Sequence, residues 1–153
     1  MDSESPLSEL LCFDLYAASR SVTSVYRVLL DPLGLTYPQY LVMLMLWRHG
    51  ERTVRDLVDG LRLDYNTLSP LLKRLEARGL VERRRRPDDE RSVTVLLTDE
   101  GRAMREKTRD VPKAISDAIG LDDGAIADLQ EVLRTLASNA TTHAAHLGNN
   151  AAK

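Results

Sequence analysis

The sequence predicts a mainly α fold interrupted near its middle by one β-hairpin. Three observations carry that prediction. Apolar residues recur at helical spacing through the first half, two short extended runs follow at 81–86 and 92–97, and helical spacing then returns. Aromatics make up only 5% of the 153 residues, so leucine, valine and alanine must build most of the core, which favours helices.

The elements follow in chain order. Residues 7–30 read as one long helix, with Ser5 as a cap and Pro6 in the first turn, where a missing N–H costs little. Leu7, Leu11, Leu15, Val22, Val25, Val28 and Leu29 form its apolar stripe, and Asp31-Pro32 with Gly34 end it. A second helix starts after Thr36, carries Pro38 in its first turn and stops at Gly50; its nearly continuous apolar stretch 40–47 implies burial on most sides. Thr53 caps a short helix over 54–61, and Asp64 caps the next, over 65–78, which Gly79 stops. In that helix Leu68, Leu71, Leu72 and Leu75 share the core side, while Asn66, Ser69, Pro70 and Lys73 lie opposite. Pro70 removes the bond to the Asn66 carbonyl, so the early turns are expected to bend or open. The two extended runs are joined by a polar tip at 87–91, and Val93, Val95 and Leu97 alternate along the second. A helix is expected from Asp99 to Ala118, started by Thr98 or Asp99. Another, capped by Asp122, is expected to about Leu147, with Gly120 and Leu121 between the two.

Composition limits the function classes. No apolar run reaches 18 residues, and the first residues carry Asp2 and Glu4 where a secretory signal would want basic groups, so a cytoplasmic location away from the membrane is expected. One cysteine, Cys12, excludes an internal disulfide framework. His49, His143 and His146 lack clustered acidic or sulfur partners, so neither a metal nor another cofactor is expected. Phosphate-binding glycine loops and the H-E-x-x-H pair are absent from the sequence, and Asp88-Asp89 reads as a polar turn, so an enzyme is not expected. The net charge is −2, yet residues 52–91 carry 11 basic and 8 acidic side chains, which concentrates positive charge in that segment.

Two short helices with a tight junction, a basic-edged second helix and a charged hairpin make a winged helix-turn-helix. The polar side of the 65–78 helix, with Asn66, Ser69, Pro70, Lys73 and Arg74, has the chemistry to enter the major groove of DNA. The hairpin, with Arg86, Asp89 and Arg91, can reach phosphate or the adjacent minor groove. A lobe over 36–98 would fold this way by itself. The amphipathic helices before it, at 7–35, and after it, at 99–147, therefore need partners, and a homodimer would bury them and set two reading helices on successive turns of DNA.

Some of these residues carry a resemblance. Asp89-Glu90-Arg91 followed by Leu97-Thr98-Asp99-Glu100-Gly101 resembles the wing of the multiple antibiotic resistance regulator family, which the chain matches in element order over residues 7–147. Leu11-Cys12-Phe13, Tyr16, Tyr26, the run Leu33-Gly34-Leu35-Thr36-Tyr37-Pro38-Gln39-Tyr40, and Leu68-Ser69-Pro70-Leu71-Leu72-Lys73 resemble its organic hydroperoxide resistance regulators. The resemblance implies a single domain with dimerisation helices that represses transcription from a palindromic double-stranded operator. It implies that Asn66, Ser69, Pro70 and Lys73 face the groove and that Asp89 and Arg91 belong to the wing. It also implies that Cys12 senses an organic hydroperoxide, with Tyr26 and Tyr37 donating hydrogen bonds near its sulfur and Tyr16 in the same neighbourhood.

Spacing tests one part of this. Cys12 and Tyr26 are 14 residues apart, ~21 Å along one straight helix, so they can meet only across a dimer. Phenol donors favour a thiolate acceptor over a thiol, and the thiolate attacks peroxide to leave a sulfenic acid. Some relatives resolve that acid with a second cysteine, where this chain aligns Asp117. Three outcomes stay open: completion by a low-molecular-weight thiol, further oxidation, or a blocked response. A repressor relieved by a non-covalent hydrophobic or phenolic ligand is the alternative function.

Overall fold

The computed structural model describes Leu7 and residues 9–151, so the Ser5 cap and Pro6 expected from the sequence lie outside the described residues. Among the described residues, seven α-helices and a three-stranded sheet follow in the order α1 (Leu11–Leu30), α2 (Tyr37–His49), β1 (Arg52–Thr53), α3 (Val54–Leu61), α4 (Tyr65–Ala77), β2 (Val81–Arg86), β3 (Asp89–Leu97), α5 (Asp99–Lys107), α6 (Val111–Ile119) and α7 (Asp123–Ala151).

Capping side chains set most boundaries. Thr36 accepts from the Gln39 N–H at 3.3 Å while Gln39 accepts from the Thr36 N–H at 2.9 Å, and Thr53 and Asp56 repeat the reciprocal pattern at the start of α3. Asp64 accepts from Thr67, Thr98 from Gly101, and Asp122 from Ala125, each three residues on. At the α1–α2 corner a 3-10 turn, Asp31–Leu33, ends on Gly34 at φ 65, a left-handed conformation that favours glycine.

Four boundaries differ from the sequence expectation by more than one residue. First, α1 starts at Leu11 rather than Leu7, because Leu10 precedes it in extended conformation and offers no capping side chain; Cys12 therefore falls in its first turn. Second, the hairpin is tighter than the expected tip at 87–91. Only Pro87-Asp88 form the turn, Asp89 pairs with Arg86, and the register shifts at Arg85/Arg86, since Val93 already faces Arg85. Third, the helix expected over 99–118 breaks at Thr108-Arg109-Asp110, where the Thr108 hydroxyl turns back on the Arg105 carbonyl and Pro112 suits the start of a new helix. Fourth, the last helix runs to Ala151 rather than to about Leu147. By contrast, α4 continues through Pro70 without interruption.

The sheet has the order β1-β3-β2 and is antiparallel throughout, with Arg52 opposite Val95 and Val81 opposite Leu97. Beneath it lies one core, built from Leu30, Leu35, Tyr40, Val42, Met43 and Leu46 of the first two helices and their corner, and from Leu57, Leu68, Leu72, Leu75, Leu80, Val81 and Val95. The four leucines assigned to the inner side of α4 are all buried.

Two compact units are distinguished, Met1–Ala118 and Ile119–Lys153. The second consists mainly of α7, which exposes Leu129, Val132 and Leu133, with Ile126 and Leu136 half-buried. No helix among the described residues is long and apolar enough to cross a membrane.

Candidate nucleic-acid interface and sensing residues

Helix α4 divides sharply by chemistry. Its leucines anchor one side in the core, and Asn66, Pro70, Lys73 and Arg74 are exposed on the rest, with Ser69 half-buried beside the wing. The first helical residue, Tyr65, is also exposed, at 63%, and was not singled out by the sequence pattern. A cleft of about 660 Å³ opens between α3, α4 and the hairpin, lined among others by Arg55, Tyr65, Ser69, Arg83, Asp89 and Ser92. Helix α4 and the hairpin thus border one concavity, whose floor also includes Val54, Val58, Leu72 and Val93. The side chains of Arg86 and Arg91 lie outside the described residues, although their backbone places them in β2 and β3 next to the turn.

The arginine run on β2 splits into different roles. Glu76, near the end of α4, accepts from the Arg83 backbone N–H at 3.1 Å and from its guanidinium at 2.9 and 2.6 Å. Because β2 is an edge strand, that carboxylate also covers an N–H that the sheet leaves open. Arg84 pairs with Glu82 at 2.7 and 2.9 Å on the surface, where such a pair adds little stability. So Arg83 fixes the hairpin to α4. Nothing in the sequence distinguishes it from its neighbours, because its partner is set by tertiary packing.

The Arg83 hydrogen bonds hold the Glu76 carboxyl below the usual range for glutamate. A carboxyl with a depressed folded value contributes stability above its unfolded pKa, and that contribution is lost as pH falls through the folded value. Glu76→Gln is therefore expected to speed hydrogen exchange at the Arg83 amide near neutral pH. The parent should approach the same behaviour only in acid, below the usual range for a glutamate carboxyl. Equal Arg83 protection in both proteins at pH 7 would show that the pair does not hold the wing.

The predicted sensing residues fall into two groups. Tyr26 of α1 and Tyr37 of α2 stack with ring centroids 4.0 Å apart and planes 23° from parallel. Tyr40 lies 6.0 Å from Tyr26, and Trp47 meets Tyr40 edge-on at 6.2 Å. Burial first, then the neighbouring Tyr37 and Tyr40, pushes the Tyr26 phenol up to about 12, so it remains a proton donor across the neutral range. Burial likewise raises Tyr40.

Cys12 and Tyr16 sit near the other end of α1. Both are exposed, and the Arg20 guanidinium lies 5.4 Å from the centre of the Tyr16 ring. Since α1 is unbroken from Leu11 to Leu30, the ~21 Å axial separation of Cys12 from Tyr26 holds within one chain. Asp117, expected from the sequence resemblance to stand in place of a second cysteine, is exposed on α6 and pairs with Lys113 at 2.6 Å. Among the described residues no group of three His, Cys, Asp or Glu is placed to hold a metal ion.

Comparison with known proteins turns this arrangement into a family assignment. The sequence model of the transcriptional regulators SarA/Rot matches residues 24–108. The chain is 45% identical, over 130 residues, to the organic hydroperoxide resistance transcriptional regulator of Bacillus subtilis, covering 85% of this chain and 86% of that protein. The chain belongs to the MarR family of winged-helix regulators. Two solved structures add DNA to the comparison. Reduced AbfR bound to DNA is 37% identical with a TM-score of 0.73, covering 86% of this chain and 92% of that one. Overoxidized AbfR bound to DNA is 39% identical with the same TM-score, covering 86% and 93%. This MarR-family member is a DNA-binding transcriptional regulator, and its family is one of regulators rather than enzymes.

Proposed function

We propose that this regulator represses from a palindromic operator as a homodimer and releases it when an organic hydroperoxide oxidises Cys12. The observation that carries the reading is the Tyr26–Tyr37 stack, a pair of phenols held together by one chain but far from that chain's own cysteine. Antiparallel pairing of two copies through residues 7–35 and 99–147 would bring each phenol pair to the partner's Cys12. It would also cover the apolar side chains that α7 exposes, and set the two 36–98 lobes on successive turns of the duplex.

In this reading Asn66, Ser69 and Pro70 meet base edges, Lys73 and Arg74 meet phosphate and neighbouring bases, and Arg86, Asp89 and Arg91 act from the wing. Cys12 occupies the first turn of α1, the end of a helix that attracts negative charge. The thiolate sulfur attacks one peroxide oxygen, the O–O bond breaks, and the other oxygen leaves as an alcohol after taking a proton, which makes Cys12 a sulfenic acid. A small thiol then displaces water from that acid to give a mixed disulfide. Asp117 cannot perform this step, so the second sulfur must come from solution. Over-oxidation and DNA binding coexist in AbfR, which favours the bulkier mixed disulfide over added oxygen atoms as the species that releases DNA.

The test compares wild type with Cys12→Ser on a labelled operator. Peroxide with a small thiol should lower wild-type affinity by roughly 10-fold or more, and Tyr26→Phe or Tyr37→Phe should slow that change. Cys12→Ser should bind the operator and fail to respond. Release of the Cys12→Ser protein at the wild-type peroxide concentration would sink the assignment and leave the non-covalent ligand as the reading.

A further inference from the structure

The reading helix ends on a residue that reaches back to the corner between the two tyrosine-bearing helices. Arg78 caps α4, its own N–H held by the Arg74 carbonyl at 3.1 Å. Its guanidinium donates from one terminal nitrogen to the Leu33 carbonyl at 3.0 Å and from the other to the Gly34 carbonyl. The acceptors lie 44 and 45 residues away in sequence. Two successive carbonyls spaced to accept from one planar fork are a match for arginine; a lysine ammonium can hold one of them but does not reproduce the fork.

The corner is shaped around this fork. A Cβ on Gly34 would stand 2.9–3.2 Å from the two terminal nitrogens and the central carbon of the guanidinium, and Gly34 has φ +65, so glycine serves both the turn and the close approach. The same corner is tied to the end of α1 through the Leu35 N–H, which donates to the Leu30 carbonyl at 3.2 Å. Tyr37 begins α2 three residues after Gly34, and its ring rests on Tyr26 of α1. A change in how α1 and α2 meet at those rings therefore moves the two carbonyls that Arg78 holds.

We infer that Arg78 is a positioning residue that couples the Tyr26–Tyr37 corner to the DNA-reading helix by gripping the Leu33 and Gly34 carbonyls. The inference rests on the proposed function for its signal, but the link itself is a property of the chain. Coupling through such a link is reciprocal: what the corner does to α4, operator binding does to the corner.

The experiment uses the full-length chain, an operator duplex and Arg78→Lys, with Arg78→Gln as a second variant should the first fold poorly. Hydrogen exchange at the Leu35 amide is read with and without operator, and operator affinity is read before and after peroxide with a small thiol. In wild type, operator binding should slow Leu35 exchange, and oxidation should lower affinity. In folded Arg78→Lys the operator-induced protection should vanish, and the ratio of affinities before and after oxidation should shrink by roughly fivefold or more, while Cys12 oxidises at the parent rate. Equal operator-induced protection of Leu35 in wild type and variant, or no such protection in wild type, would overturn the link. If wild type shows the protection but no response to peroxide, the sensing reading fails on its own while the exchange comparison still decides the role of Arg78.

Discussion

Gly101→Ala is expected to destabilise the fold by roughly 2–4 kcal/mol, although replacing glycine by alanine inside a helix ordinarily stabilises it by up to about 1 kcal/mol. Gly101 is the third residue of α5 and is buried. A Cβ there would stand 1.9 Å from the Leu80 carbonyl oxygen and 3.0 Å from its carbon, both backbone atoms. That carbonyl cannot simply retreat, since it accepts from the Thr98 N–H at 3.2 Å, and the Thr98 hydroxyl donates to the Gly79 carbonyl at 2.5 Å. On the other side, the Trp47 ring nitrogen donates to the Gly101 carbonyl at 2.9 Å. The start of α5, the turn before β2 and the end of α2 are thus locked at one glycine. Urea denaturation followed by Trp47 fluorescence reads the effect, and a variant as stable as the parent would show that the junction yields more easily than its hydrogen bonds imply.

The second large effect concerns binding rather than folding. Lys73→Ala combined with Arg74→Ala is expected to weaken operator affinity on the order of 100-fold in a dimer, which loses the pair twice. Stability should change by no more than about 0.5 kcal/mol, because both side chains are exposed on α4. The dependence of affinity on salt should also flatten, by roughly one slope unit for each phosphate contact removed. Asn66→Ala or Ser69→Ala should instead alter the preference among operator variants. Equilibrium titrations at several salt concentrations separate the two outcomes. Parent-like affinity and salt slope in the folded double variant would place the DNA on another face.

Much of this was legible because local chemistry set it. Thr36, Thr53, Asp64, Thr98 and Asp122 each cap a helix through a side chain three residues from its donor, a pattern any reader of the chain can find. The inner leucines of α4 repeat at helical spacing for the same reason. Strand β1 was not legible: its two residues carry no alternation, and Thr53 is already explained as a cap. The break at Thr108-Arg109-Asp110 contains neither glycine nor proline, and only Pro112 beyond it hints at a new helix.

The same contrast holds at the functional surfaces. The exposed residues of α4 proposed to face the groove follow from the leucines that must face inward. The Glu76–Arg83 clamp and the Arg78 grip do not, because their partners lie 7, 44 and 45 residues away and are chosen by how elements pack. The stack of Tyr26 on Tyr37 is of that kind too; the spacing within α1 could exclude a contact with Cys12 but could not reveal the ring that Tyr26 meets.

The most direct test reads covalent state and DNA binding on one sample. Wild-type protein on a palindromic operator is titrated with an organic hydroperoxide in the presence of a small thiol, with native mass and fluorescence anisotropy recorded at each point. A non-covalent dimer should gain one thiol adduct on each Cys12, operator release should follow that gain, and reductant should restore binding. Release while the mass of Cys12 is unchanged, or a fully adducted dimer that keeps its operator, would contradict the account.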